Sequence, residues 1–224
     1  MIRKMKINNN EIKMIIFDLD GTLLDSLKIW KDVDINFFAK RNLEMPSDYG
    51  QKIAHMGLEK ASQYTKERFN LPESPEEILK EWEDAVYFEY ANNVVLKDYA
   101  KEFLEICKAN KLICSIATAS QESCYVPCLK RNLIYDYFDN IINVLNYPEG
   151  KNSPQIYLDI AKKSGIAPNQ ILVIEDIVTA LNSAKKGGFN VCAIYDETSS
   201  EEDAKRMICD VYIRSFKDLV KYMD

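Results

Sequence analysis

The chain has 224 residues, 47% of them hydrophobic and 29% charged, with a formal net charge of -6. At this length roughly 70% of the unfolded surface can be buried, enough for one large domain or two small ones. The acidic balance argues against a partner chosen for a polyanionic backbone, so no nucleic-acid partner is expected. No apolar run approaches the ~18 residues of a membrane span. The N-terminal MIRKMKINNNEIK is polar and lacks the apolar core of a signal peptide, so no membrane association and a cytoplasmic location are expected. Six cysteines form no C-x-x-C pair and lie mostly in apolar segments, which reads as reduced core thiols. Cys124 and Cys128 have helical i,i+4 spacing, but a single histidine leaves a zinc site short of ligands.

KMIIFD (13–18) is a short continuous apolar run, predicted as a buried strand. Residues 26 to about 93 then contain no clear strand. IWKDVDINFFAKRN, LEKASQYTKERFN and SPEEILKEWEDAVYFEYANN are amphipathic helical patterns. Ser74 reads as an N-cap, with Pro75 at N1 and Glu77 at N3. Trp30 and Trp82 read as core residues of this helical insert.

From residue 96 onward the pattern alternates. Strands are predicted at 112–118, 140–145, 170–176, 189–196 and 210–213. Helices are predicted at 97–110, 121–132, 154–164, 177–186, 200–207 and 216–223. Such alternation implies an α/β fold: a doubly wound, mostly parallel, Rossmann-like sheet with right-handed crossovers. The expected organisation is a core of residues 1–25 and 94–224 with an inserted all-helical cap at 26–93. The acidic run 197–205 reads as a solvated loop and helix start.

Ligands of open parallel sheets bind beyond the carboxyl ends of the strands. There the sequence places Asp18 and Asp20, Thr118 and Ser120, and Glu175 and Asp176, with Lys151 before the helix at Pro154 and Ser153 as its N-cap. Clustered carboxylates repel one another and are costly to desolvate without a cation. Mg²⁺ fits, since it takes a few carboxylate or carbonyl oxygens and binds substrate phosphate. Lys151 and the hydroxyls then suit the remaining phosphate oxygens, and the set suits phosphoryl transfer. Gly21 permits the tight turn after the two aspartates. Ser120 also reads as a helix N-cap. His55 has two readings, a surface or helix-end histidine or a substrate contact.

DLDGT after an apolar strand resembles the first motif of the haloacid dehalogenase-like hydrolases. IATAS, Lys151 in GKNSPQIY, and VIEDIVTA follow in that family's order. The resemblance runs from about Met14 to Tyr195, and the helical insert after the first motif resembles the subgroup of phosphoglycolate phosphatase and β-phosphoglucomutase. It implies that Asp18 is the nucleophile and Asp20 the general acid and base. It implies that Thr118, Ala119, Ser120 and Lys151 bind the phosphorylated substrate, with Thr118 and Lys151 also catalytic and His55 a candidate contact. Asp18, Asp20 (through its backbone carbonyl), Glu175 and Asp176 are implied as the Mg²⁺ ligands. The implied activity is a Mg²⁺-dependent phosphatase of a small phosphorylated metabolite, in a monomer or small homo-oligomer.

Several positions depart from the family pattern. Lys151-Asn152 stands where Lys-Pro is frequent, Ile177 and Ala180 where a small polar residue and a glycine are common, and Lys97-Asp98 where a Pro-Gly turn is usual. Two alternatives remain at this level. A phosphohexose mutase is disfavoured by Gly21-Thr22, where Gly-Val is usual, and by Trp30 near the place of an expected histidine. A catalytically silent binding protein is disfavoured because Asp18, Asp20, Lys151 and Asp176 are all present.

Overall fold

The computed structural model describes residues 2–53 and 56–224. The chain opens with a hairpin that the sequence reading did not contain: β1 (Met5–Ile7) pairs antiparallel with β2 (Asn10–Ile12). Asn8 and Asn9 turn it with φ of 49° and 65°, a left-handed region that asparagine tolerates better than most residues. β3 (Met14–Phe17) follows and is buried at all four positions.

The helical segment comprises α1 (Leu27–Ala39), α2 (Tyr49–Ile53), α3 (Leu58–Phe69) and α4 (Pro75–Asn92). α2 was not foreseen. Ser74 caps α4 in a reciprocal box with Glu77, and Pro75 opens the first turn. Trp82 is buried, but Trp30 is 44% exposed, which corrects its assignment to the core. The 3.6-residue period places a helix without saying which of its flanks is covered. The packed rings are instead Phe37, Phe38, Tyr49, Phe69 and Trp82, with Phe38 and Phe69 centroids 4.7 Å apart. Thr65 donates its hydroxyl to the Ala61 carbonyl, so the Tyr49 phenol donates to Thr65 Oγ1 at 2.7 Å.

Beyond it come α5 (Ala100–Ala109), β4 (Ile113–Thr118), α6 (Glu122–Arg131), β5 (Asn140–Asn143), α7 (Gln155–Ser164), β6 (Ile171–Glu175), α8 (Val178–Lys186), β7 (Asn190–Ile194), α9 (Glu202–Ile208) and β8 (Val211–Ile213). Residues 216–222, expected as α-helix, form a 3₁₀-helix capped by Ser215. β5 ends two residues early because the Asn143 side chain accepts from Leu145 N and turns the chain. The helix after Lys151 starts at Gln155 with Pro154, not the expected Ser153, at its N-cap; Ser153 Oγ accepts from Gln155 N from one position further back, at 3.4 Å.

The main sheet is parallel throughout, in the order β5-β4-β3-β6-β7-β8. Its central strands are covered on both faces, which is why they read as unbroken apolar runs. Alternate residues of β3 serve the two faces. Met14 and Ile16 join Tyr157, Ile160, Leu181 and Phe189 on one. Phe17 meets Phe103, Phe138 and Phe216 on the other, at centroid distances of 6.0 to 6.5 Å. The main chain divides into two compact units, residues 1–26 with 94–224 and residues 27–93. Within the first unit the two connecting segments pair with each other: Asp25 N donates to Val95 O, and Lys97 N to Leu23 O, both at 2.9 Å.

Candidate active site

The parallel register sets the carboxyl ends of β3, β4 and β6 side by side, so the polar residues following these strands meet. Phe17 pairs with Ile116 and with Ile174, and Asp18 N donates to Ile174 O at 3.0 Å. A tight turn follows. Gly21, at φ 76°, bonds through its N–H to Leu24 O, and Leu24 N bonds back to Leu19 O. The left-handed φ at Gly21 is one that a β-carbon would strain.

One carboxylate oxygen each from Asp18, Glu175 and Asp176 lies within 4.8 Å of the others, and all three residues are buried. Lys151 reaches them from the 3₁₀ turn Gly150–Asn152. Its Nζ pairs with Asp18 Oδ1 and, at 2.6 Å, with Glu175 Oε1. The lysine side chain is only 13% exposed, so it is no solvated loop residue. Burial opposes its ammonium, yet Asp18 and Glu175 outweigh burial and raise its pKa. Burial, and next Glu175, push Asp18 well above the usual carboxylate range despite Lys151. Burial and Glu175 likewise lift Asp176 to about 7.

One ammonium cannot neutralise three buried acids. The second oxygen of Glu175, Oε2, is buried without a hydrogen-bond partner among the described residues. An all-oxygen donor set with an unsatisfied buried oxygen fits a hard divalent cation such as Mg²⁺. The Asp20 carboxylate stands outside this triad. It accepts from Ser26 Oγ at 2.7 Å and from Ser120 Oγ. Ser120 is therefore not a helix cap: α6 has Gln121 at its N-cap, and the Ser120 hydroxyl is spent on Asp20. Asn143 holds this loop by donating to Ser120 O at 2.6 Å. Thr118 is fully buried, and its Oγ1 accepts from Ser120 N at 3.0 Å. Ala119, between them, is exposed. His55 lies outside the described residues.

Three further residues belong to this neighbourhood and were missed. Thr22, fully buried, points its hydroxyl at Asp176 Oδ1, 3.4 Å away. Tyr157 donates to Glu175 Oε1 at 3.0 Å. Lys205, fully buried, bonds Glu202 at 2.7 Å and lowers the proton affinity of Asp176 through its charge. The run 197–205, expected to be solvated, thus ends in a buried cation. Thr22 was readable from its place beside the aspartates. Nothing local marked Tyr157 or Lys205.

The haloacid dehalogenase-like hydrolase family model matches residues 15–194. The chain belongs to the haloacid dehalogenase-like hydrolase family. Hexitol phosphatase B of Escherichia coli (strain K12) is 25% identical over 215 residues, spanning 93% of this chain and 95% of its own length. A phosphorylated carbohydrates phosphatase of Thermotoga maritima is 21% identical, spanning 88% of this chain and 90% of its own. A HAD family hydrolase from Deinococcus radiodurans R1, solved with bound phosphate and sodium, shares the fold with a TM-score of 0.73 and 20% identity, covering 93% of each chain. The six-stranded parallel sheet with flanking helices is the architecture of this family member, and no helix among the described residues is long and apolar enough to cross a membrane.

Proposed function

We propose that this haloacid dehalogenase-like hydrolase is a Mg²⁺-dependent phosphatase of a small phosphorylated sugar or polyol. The observation that carries the reading is the Lys151-bridged triad of buried acids at the strand ends, with a separate carboxylate, Asp20, held two residues beyond Asp18. The phosphatases named among its relatives act on hexitol phosphates and phosphorylated carbohydrates, which supports the substrate class.

The geometry suggests a division of labour. A carboxylate oxygen of Asp18 attacks phosphorus, and the bond from phosphorus to the ester oxygen breaks. Asp20 gives its proton to the departing alkoxide, which leaves as the alcohol. Asp20, now ionised, takes a proton from a water that attacks the same phosphorus. The aspartyl oxygen departs, giving orthophosphate and free Asp18. Lys151 holds Asp18 in place and offsets the negative charge of the phosphoryl group. Asp18, Glu175 and Asp176 would hold Mg²⁺, which when bound supplies charge neutralisation for the acids and the phosphoryl oxygens. Ser26 and Ser120 keep Asp20 apart from the triad, so the acid and the nucleophile do not share one proton.

Selectivity is assigned to residues 27–93, because the acids, the lysine and the hydroxyls above all belong to the other unit. A panel of sugar, polyol and carboxylic acid phosphates, assayed for phosphate release with Mg²⁺ and with EDTA, tests the proposal. Release confined to Mg²⁺ and to one or a few sugar or polyol phosphates is expected. No Mg²⁺-dependent release from any member would refute it.

A further inference from the structure

Tyr157 reaches this site from the helical layer beneath the sheet rather than from a strand end or its loop, and it bonds a carboxylate of the acidic triad directly. It lies on α7, is fully buried, and packs edge-on against Phe189 with centroids 6.0 Å apart. A phenylalanine would fill that space equally well. A phenol there needs a partner, because an unbonded buried hydroxyl is costly. Its partner is Glu175 Oε1, at 3.0 Å. The same oxygen receives Lys151 Nζ at 2.6 Å, whereas Oε2 receives no hydrogen bond from the described residues. The two donors reach one oxygen from different elements, the Gly150–Asn152 turn and α7. Lys151 is shared with Asp18 and is a long unbranched side chain, so it does not by itself fix the roll of the Glu175 carboxylate about its last bond. The phenol, locked in the core, can.

We propose that Tyr157 is a positioning residue. By occupying Oε1 together with Lys151, it turns Oε2 of Glu175 toward the divalent cation. This rests on the reading of Asp18, Glu175 and Asp176 as the cation's ligands. Removing a hydrogen bond that orients a metal-ligating carboxylate typically lowers metal affinity by about 10- to 100-fold.

The experiment is calorimetric titration of MgCl₂ into the full-length, metal-stripped protein, as wild type and as Y157F, E175Q and the double variant. The wild type is titrated first. If it binds no Mg²⁺, the cation reading itself falls and takes the Tyr157 proposal with it. If it binds, Y157F should raise Kd by about tenfold or more. At saturating Mg²⁺, kcat of Y157F should return to within about twofold of wild type, since Asp18 and Asp20 are untouched. Y157F should also add nothing to the Kd of E175Q, because the oxygen that it orients is already changed. Unaltered Mg²⁺ affinity in Y157F, or the same loss in both backgrounds, would overturn the proposal and leave the hydroxyl a purely structural role. Should Y157F not fold, Y157M and Y157L, which carry no hydrogen-bond donor on the side chain, give the same comparison.

Discussion

Lys151→Met removes the ammonium from between Asp18 and Glu175 while keeping most of the side-chain volume. The lysine is 13% exposed and its two partners 7% and 1%. Breaking a buried ion pair by deleting one partner costs about 3–5 kcal/mol, because the remaining charge is left uncompensated. Here three acids share the site, so the remaining charge has a second outlet. Asp176 already titrates at about 7 and Asp18 is pushed well above its ordinary range, so protons relieve the repulsion in mildly acidic solution. The full loss of about 3–5 kcal/mol is therefore expected at pH 8 in EDTA, with a smaller loss at pH 6. The ammonium also repels a nearby Mg²⁺ and holds an oxygen of Asp18, so the variant should bind the cation more tightly than wild type. Saturation at a hundredfold over Kd would restore about 2.7 kcal/mol. Urea unfolding followed by far-ultraviolet circular dichroism, at both pH values with and without Mg²⁺, measures all of this. A loss below about 1 kcal/mol at pH 8, insensitive to Mg²⁺, would refute the buried-pair argument, since that is the size of an exposed pair.

Other outcomes follow from the same geometry. Asp18→Asn should abolish turnover while the unfolding transition stays near that of wild type; near-normal turnover would remove Asp18 as nucleophile. Asp176→Ala should weaken Mg²⁺ binding in calorimetry by more than about tenfold, the lower end of what losing even a partner behind a ligand costs, and unchanged affinity would exclude it. The metal-free protein should lose stability as pH rises from 5 to 7. The folded state keeps a proton on Asp176 up to about 7, whereas an ordinary carboxyl at 3.8 has released it. The slope is at most ~1.4 kcal/mol per pH unit for one such group. Mg²⁺ should flatten it, and a urea midpoint that climbs over this range in EDTA would contradict the assignment. Exchanging residues 27–93 for the corresponding segment of hexitol phosphatase B should move the ranking of kcat/KM toward that enzyme's substrates; an unchanged ranking would place selectivity elsewhere.

The sheet was legible because β3, β4, β6 and β7 are covered on both faces and therefore spell continuous apolar runs. Where a strand is short or half covered, that signal fails. β1 and β2 have three residues each, too few for a period to show, although the Asn8–Asn9 turn between them was there to be noticed. β5 was drawn two residues too long because the apolar Val144 and Leu145 continue the run, while a side-chain bond from Asn143 bends the backbone away.

The acids and Lys151 were legible from residue type at strand ends and from the order of the motifs. Tyr157 was not, since a tyrosine in an amphipathic helix looks like any core aromatic. Only the packing of α7 under β6 brings it to Glu175. Lys205 looked solvated because its neighbours in the sequence are charged. Its burial depends on Glu202 and the Ile194 carbonyl, contacts that no local pattern announces. Of the two readings of Ser120, phosphate contact and helix cap, the cap rested on residue type alone; Gln121 takes that place and the Ser120 hydroxyl bonds Asp20.

The central claim is that Asp18 carries the phosphoryl group between substrate and water. During turnover of a substrate found in the panel, with Mg²⁺ present, the reaction is quenched with borohydride, which reduces an acyl phosphate to an alcohol. The peptide containing residue 18 is then read by mass spectrometry. The account predicts homoserine at position 18, absent without substrate and absent without Mg²⁺. An unmodified Asp18 during demonstrated turnover, with the reduced residue found at another carboxylate, would contradict it.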